Sequence, residues 1–446
     1  PPSPTWSPIV QNAFDQLRLI TRYLFAHDSH SGSSLTGASH AGRPLGLYVL
    51  SIALCSLGYS NLNAEELLIN DAPAWKKHVI NDRSPFEAVG VADFNGDGKL
   101  DVFSGDSWYA APDWTQYKVR DVPPGTNPQY HEDFADAPLD VNGDGRMDIV
   151  TCAYFSRRIA WVENPSDPTK SWMEHTIDVP GSMETSYLLD LYGDKTPVLI
   201  PNVGGQVLLY ELIAKAPKVE WKTRKLDPKG AGHGVGHGDI NRDGRIDLIT
   251  PNGWYEQPSN REAEWKLHSE FQLGAASIEI IGHDFDGDGD TDIAWGMGHD
   301  FGLHWLVQST DEAGKRVWSK KDIDTSFSQV HALHLADFDG DGQKDFVTGK
   351  RIYAHASEPG ATAEPCLYIF QFDRSKSQWR RSTVYFGDPA PSAPINPEQR
   401  DALKDFRPGT AGTGLQMALQ DMDADGDIDI VAPGKSGLYW FENPSK

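Results

Sequence analysis

Carboxylates recur along this chain at a spacing that suits a hard cation. Six acidic nonapeptides are intact: DFNGDGKLD at 93–101, DVNGDGRMD at 140–148, DINRDGRID at 239–247, DFDGDGDTD at 284–292, DFDGDGQKD at 337–345 and DMDADGDID at 421–429. Calcium takes oxygen ligands only, and such a loop offers side chains at positions 1, 3, 5 and 9 with the carbonyl of position 7. The expected ligands are Asp93, Asn95, Asp97, Lys99 and Asp101; Asp140, Asn142, Asp144, Arg146 and Asp148; and Asp239, Asn241, Asp243, Arg245 and Asp247. In the second half of the chain they are Asp284, Asp286, Asp288, Asp290 and Asp292; Asp337, Asp339, Asp341, Gln343 and Asp345; and Asp421, Asp423, Asp425, Asp427 and Asp429. Position 12, where an EF-hand carries a bidentate glutamate, reads Ser104, Thr151, Thr250, Trp295, Thr348 and Ala432. Each loop instead runs into β-rich sequence such as DIVTCAY, so these are strand–loop–strand units holding about six structural calcium ions. A decayed copy, DLYGDKTPV at 190–198, has Tyr192 at position 3 and Val198 at position 9 and is expected to hold none.

A second set of residues suits a softer metal or proton transfer. Six residues before the first aspartate of each copy stand Glu87, Phe134, Glu184, His233, Ile278, His331 and Leu415. Imidazoles and carboxylates at one position of a repeat converge if the repeats surround an axis, and a zinc-like site or an acid–base pair needs that convergence. Near them lie His131, Glu132 and Asp133 in YHEDFAD, and His237 in GHGVGHGD. Beyond the strand that follows the loop lie His299 in GMGHDFGLHW, and Lys350, Arg351, Tyr353 and His355 in GKRIYAH. His78, His175 and His268 differ: they share one place in a repeated outer strand (WKKH, WMEH, WKLH), so their role is structural, as is that of His304 in LHWLVQ.

The elements that position these groups follow from the repeat. Loop starts fall 47, 50, 49, 45, 53 and 84 residues apart, the period of a propeller or array. Trp75, Trp114, Trp172, Trp221, Trp265, Trp318 and Trp379 each open a short strand; Trp75 precedes the first loop, and the last unit ends at GLYWFENPSK without one. The expected fold is an all-β, seven-bladed β-propeller over residues 71–446, its ring closed by the N-terminal strand 75–80 pairing in the last blade. A Pro-, Gly- and Ala-rich insertion, 386–414, with a shorter one at 355–365, would overhang the channel mouth.

Composition fits an exported protein. The formal charge of −24 excludes nucleic acid and anionic membrane as partners, and much of it sits in the loops. Residues 45–59, LGLYVLSIALCSLGY, resemble a signal-peptide core within 43–64, too short for a membrane span. Residues 1–42 form an upstream extension expected to be disordered or not native. Export suits calcium loops, which need the higher calcium found outside the cytosol. Cys152 and Cys366 fall in distant units and are expected to form no disulfide.

The loops resemble the FG-GAP or VCBS repeats of extracellular propellers such as integrin α chains. The stretches GAGHGVGHGDINRDGRIDLITPNGWYEQP, GMGHDFGLHWL and SFSQVHALHLADFDGDGQKDFVTGKRIYAH are similar to the propeller of aldos-2-ulose dehydratase and its bacterial relatives. That resemblance implies a metal-containing cleft that eliminates water from keto-sugars, with His233, His331 and His299 as site residues. The fungal enzyme adds cupin and lectin domains, and no reaction assigned to those domains is carried over. The reading is a sugar lyase or dehydratase acting by β-elimination on a keto-sugar or uronate. His233, His331 and Glu184 hold a zinc-like or other divalent ion, His299 or Tyr353 is the base, and Lys350 or Arg351 steadies the enolate. The alternative is a non-catalytic module binding a carbohydrate, another small polar ligand or a protein on the same face.

Overall fold

The computed structural model describes residues 67–445 apart from 71–73, 128, 228–231, 278, 353–354, 356, 362 and 388–408. The upstream extension, the signal segment, Tyr353, Ile278 and most of the 386–414 insertion lie outside the described residues. Every regular element among those described is a β-strand, and the arrangement is an all-β propeller. No helix there is long and apolar enough to cross a membrane.

Each repeat folds the same way. In the first, Gly90–Ala92, Asp101–Ser104, Ser107–Ala110 and Thr115–Lys118 pair antiparallel in chain order, and the acidic loop joins the first strand to the second. The last unit supplies Ala418–Gln420, Asp429–Gly434 and Gly437–Glu442, and its fourth strand is Lys76–Asn81, which pairs antiparallel with Gly437–Glu442. A further strand, Leu68–Asn70, pairs parallel with Arg380–Ser382 on the outer edge of the sixth repeat, upstream of the start expected at 71.

The expectation of seven separate blades is corrected by the hydrogen bonding. Five sheets of four or five strands are separate, and a sixth has eight. In that sheet the innermost strands of the fourth and fifth repeats, Gly236–Gly238 and Ile280–His283, pair in parallel. Glycine is the cause: a Cβ on Gly236 would lie 1.7 Å from the Ile280 carbonyl oxygen, and one on Gly238 would lie 2.6 Å from Gly282 Cα. With no side chain between them, the two backbones approach closely enough to share hydrogen bonds.

Packing between repeats is organised around position 2 of the acidic loop. Phe94, Phe285 and Phe338 each meet the tryptophan that opens another unit's outer strand: Trp172 on Phe94 at 5.8 Å, Trp379 on Phe285 at 5.3 Å and Trp75 on Phe338 at 6.0 Å between ring centroids. The carbonyl of the same position accepts a buried amide from the next repeat, Asn164 on Phe94 (2.9 Å), Gln257 on Leu191 (2.9 Å) and Asn443 on Phe338 (2.8 Å). These amides belong to the WVENP, WYEQP and WFENP segments. The repeated histidines stack on the tryptophans of those segments, His78 on Trp440 (4.0 Å), His175 on Trp161 (4.3 Å) and His268 on Trp254 (4.1 Å), and reach the following glutamates at 2.7–2.8 Å. Stacking on an indole with one nitrogen tied to a carboxylate is a packing role.

Candidate functional site

The acidic loops share a framework built by their own backbone. The first aspartate accepts the amides that follow it: Asp93 takes those of Gly96 (2.7 Å), Asp97 (3.1 Å) and Gly98 (2.8 Å). Position 6 has φ between 84° and 95° in all six intact loops, a conformation that requires glycine there. Three aspartates bring a carboxylate oxygen each within 4.8 Å of the others in the loops of Asp284, Asp286 and Asp288, of Asp337, Asp339 and Asp345, and of Asp421, Asp423 and Asp425. In the loops at 140–148 and 239–247 the position-7 guanidinium pairs with the position-5 carboxylate, Arg146 with Asp144 and Arg245 with Asp243. The decayed loop carries its own cation, since Arg261 lies 3.8 Å over the Tyr192 ring and pairs with Asp194 and Glu211.

Position 9 has a task that spacing alone did not indicate. Asp101, Asp148, Asp247 and Asp429 are fully buried, and each accepts one amide from position 2 of its loop and one from beyond the third strand. They clamp the loop to the sheet. Burial pushes the carboxyls of Asp247 and Asp429 up to about 7 and those of Asp101 and Asp148 to about 6.

On the opposite side of the inner strands, Glu184, His233, His331 and His355 bring one ligand atom each within 4.8 Å of all the others. The third, fourth and sixth repeats supply them. Glu184 Oε2 lies 3.0 Å from His233 Nε2 and 3.7 Å from His331 Nε2. His331 and His355 face each other through Nε2 at 3.3 Å, and His299, from the fifth repeat, faces His233 through Nε2 at 3.1 Å. The His299 and His355 rings stack at 4.1 Å. Nδ1 of His331 lies 3.0 Å from the Gln329 carbonyl and can only donate there, which leaves a bare lone pair on Nε2. His331 is fully buried; burial first, then the Arg351 charge, hold its pKa well below the usual value, and the same two causes, in the same order, bring His355 to about 3. Burial alone would push Glu184 up, but the contact with His233 and the His233, His331 and Arg351 charges more than offset it. Its carboxyl stays ionised, and Oε2 is buried with His233 Nε2 as its nearest nitrogen neighbour at 3.0 Å. An acceptor-rich, donor-poor pocket of three imidazoles and one carboxylate fits a borderline divalent cation.

The other expected site residues fall elsewhere. Arg351 is fully buried and forks onto Glu87 (Nε to Oε1 2.9 Å, a second nitrogen to Oε2 3.0 Å), with Lys435 3.7 Å from the same carboxylate. Lys350 turns away from the cluster: its ammonium is held by Gln329 Oε1 (2.8 Å) and the carbonyls of Arg351 and Ala361, and burial lowers its pKa to about 8. Both cations expected to steady an enolate are thus engaged by protein acceptors. Phe134 and Leu415 share an apolar core, Asp133 pairs with Arg120, and Glu132 bonds Ser156. His355 is the ligand-set member that the six-residue rule could not reach, because it stands after the second strand; its signal was its place in GKRIYAH.

Residues 284–348 match the FG-GAP-like repeat family. No curated protein matches the chain. Among solved structures, similar chains include BBS1N from its complex with ARL6DN (12% identity, TM-score 0.47, 83% of this chain and 97% of that one) and the exotype rhamnogalacturonan lyase YesX (11%, 0.45, 84% and 75%). A lectin of Agrocybe aegerita that recognises non-reducing terminal N-acetylglucosamine is similar over 68% of this chain and 79% of its own, with 13% identity and TM-score 0.38.

Proposed function

We propose that this chain is an exported propeller of seven repeat units, the fourth and fifth sharing one sheet, stabilised by calcium in its acidic loops. On this reading its channel face holds a zinc-like divalent ion and acts as a sugar lyase or dehydratase, by β-elimination on a keto-sugar or uronate. One observation carries the enzymatic part: four ligand atoms from Glu184, His233, His331 and His355, drawn from three repeats, lie within 4.8 Å of one another. Closure of the repeats into a ring is supported by the Lys76–Asn81 pairing and by the Ala418–Gln420 strand lying against Gly90–Ala92. Export accords with the calcium demand of the loops.

Such an ion, when bound, polarises a substrate carbonyl or carboxylate and acidifies the adjacent C–H. His299 would take that proton: about a third exposed, its Nε2 faces the cluster and its Nδ1 lies 3.9 Å from Glu358, whose charge favours the imidazolium that would form. The electron pair left on the α-carbon expels the β-oxygen as the double bond forms, and His299 returns its proton to that oxygen. Arg351, tied to Glu87, supplies positive potential from behind His331 and His355. Tyr353 remains the other candidate base.

Metal analysis of the full chain purified in excess calcium tests this reading. Calcium plus one zinc-like ion per chain, lost in His233→Ala and in Glu184→Gln, is the expected result, with unsaturated product formed from a keto-sugar or uronate by the wild type alone. Calcium alone, with sugar affinity unchanged in both variants, would return the chain to the non-catalytic binding reading.

A further inference from the structure

Two histidines of the cluster are held by a single residue, one through its ring and one through its backbone. Gln329 is fully buried and has φ +59°, a left-handed conformation uncommon for a residue with a Cβ. Its backbone carbonyl accepts Nδ1–H of His331 (3.0 Å) and the amide of Arg351 (3.1 Å). Its side-chain nitrogen donates to the backbone carbonyl of His355 (3.0 Å). Its side-chain oxygen accepts from the buried Lys350 ammonium (2.8 Å). One residue therefore sets the tautomer of the first imidazole and the backbone position of the second, and a buried cation sets the orientation of its amide. An apolar side chain could close the same turn after the strand Arg316–Ser328 without burying an amide and an ammonium. What the polar version adds is aim.

We propose that Gln329 is the positioning residue of the channel-face site, presetting His331 and His355 for a divalent ion, and that Lys350 is the lock on its side chain. The proposal rests on the metal reading above. It assigns a task to Lys350 that leaves it out of the chemistry, and it gives the left-handed backbone a use: in that conformation the carbonyl meets His331 while the side chain reaches the His355 carbonyl.

The test is Co²⁺ titration of the full chain in saturating calcium, followed by visible absorption. The wild type should bind one Co²⁺ with the strong bands of a four- or five-coordinate ion. Gln329→Met and Lys350→Met should each weaken Co²⁺ binding by about 10–100-fold, the range for residues that orient metal ligands, and shift the bands toward the weak six-coordinate pattern. Gln329→Glu keeps the acceptor for Lys350 but loses the donor to His355, and should fall between wild type and Gln329→Met. Circular dichroism confirms folding, and Lys350→Met carries the test should Gln329→Met misfold. Wild-type affinity and spectrum in both methionine variants would overturn the positioning role and leave the metal reading standing. Absence of any Co²⁺ band in the wild type would overturn both.

Discussion

At the scale of single residues, burial decides what each titratable group can do. His233 and His331 occupy the same repeat position, yet His233 is about a quarter exposed and His331 is fully buried. The two alanine variants should therefore differ. His233→Ala should cost little stability, whereas His331→Ala leaves a cavity and strips a donor from the Gln329 carbonyl, costing about 2–3 kcal/mol; chemical denaturation in calcium measures both. Equal midpoints would show that His331 is not packed as described. A second buried group lies further along the inner strands. Glu279 faces His334 at 3.8 Å, with Tyr187 and His237 beside them, and burial pushes its pKa up to about 8. A carboxyl whose folded pKa exceeds its unfolded one holds a proton that the unfolded chain has already released. Stability is then lost as pH rises from about 4.5 to about 8. Glu279→Gln should be close to neutral near pH 4.5 and progressively more stable than wild type up to pH 8. A constant difference across that range would show that Glu279 is ionised in the fold.

At the scale of elements, the acidic loop is also a joint. Position 2 donates its amide to position 9, gives its carbonyl to an Asn or Gln of the next repeat, and in three repeats packs its ring under another unit's tryptophan. Asn443→Ala removes bonds to the carbonyls of Phe338 (2.8 Å), which is buried, and of Ile428 (3.1 Å), which is partly buried. The Phe338 carbonyl keeps the Ser445 hydroxyl at 3.2 Å, so losing the amide should cost about 1 kcal/mol, the net worth of an ordinary hydrogen bond, and Asn164→Ala should behave alike; unfolding midpoints in calcium report the loss. The N-terminal strand makes a stronger case. Without Lys76–Asn81 the strand Gly437–Glu442 becomes an open edge, so a chain starting after residue 81 should aggregate, while one starting at residue 74 should stay soluble. Comparable solubility of the two in size-exclusion chromatography would show that this pairing does not matter.

At the scale of the whole molecule, the −24 charge and six acidic loops predict, on the proposed calcium reading, a stability that depends on calcium. Without an ion, each loop crowds carboxylates that repel one another. EDTA should lower the melting temperature sharply and added calcium should restore it; a melting curve indifferent to chelator would remove calcium from the account. The largest response should come from the loops starting at Asp284, Asp337 and Asp421, because Arg146 and Arg245 already neutralise part of the charge in two of the others. Asp286→Ala should therefore reduce the calcium-dependent rise in melting temperature more than Asn142→Ala.

The repeat, its all-β character, the position of the acidic loops between paired strands and the structural standing of His78, His175 and His268 were legible in the chain itself, because each rests on local spacing and recurs. Glu184, His233 and His331 could be singled out for the same reason: a shared position in a repeat becomes a shared position in space. Tertiary structure decided the rest. Whether Lys350 faces the cluster or Gln329, whether Arg351 is available or tied to Glu87, and whether two neighbouring repeats form two sheets or one all depend on contacts between residues far apart in sequence. Glu87 and Arg351 are 264 residues apart. No local pattern encodes which buried charge finds which partner, since the desolvation that forces the pairing exists only once the strands have packed.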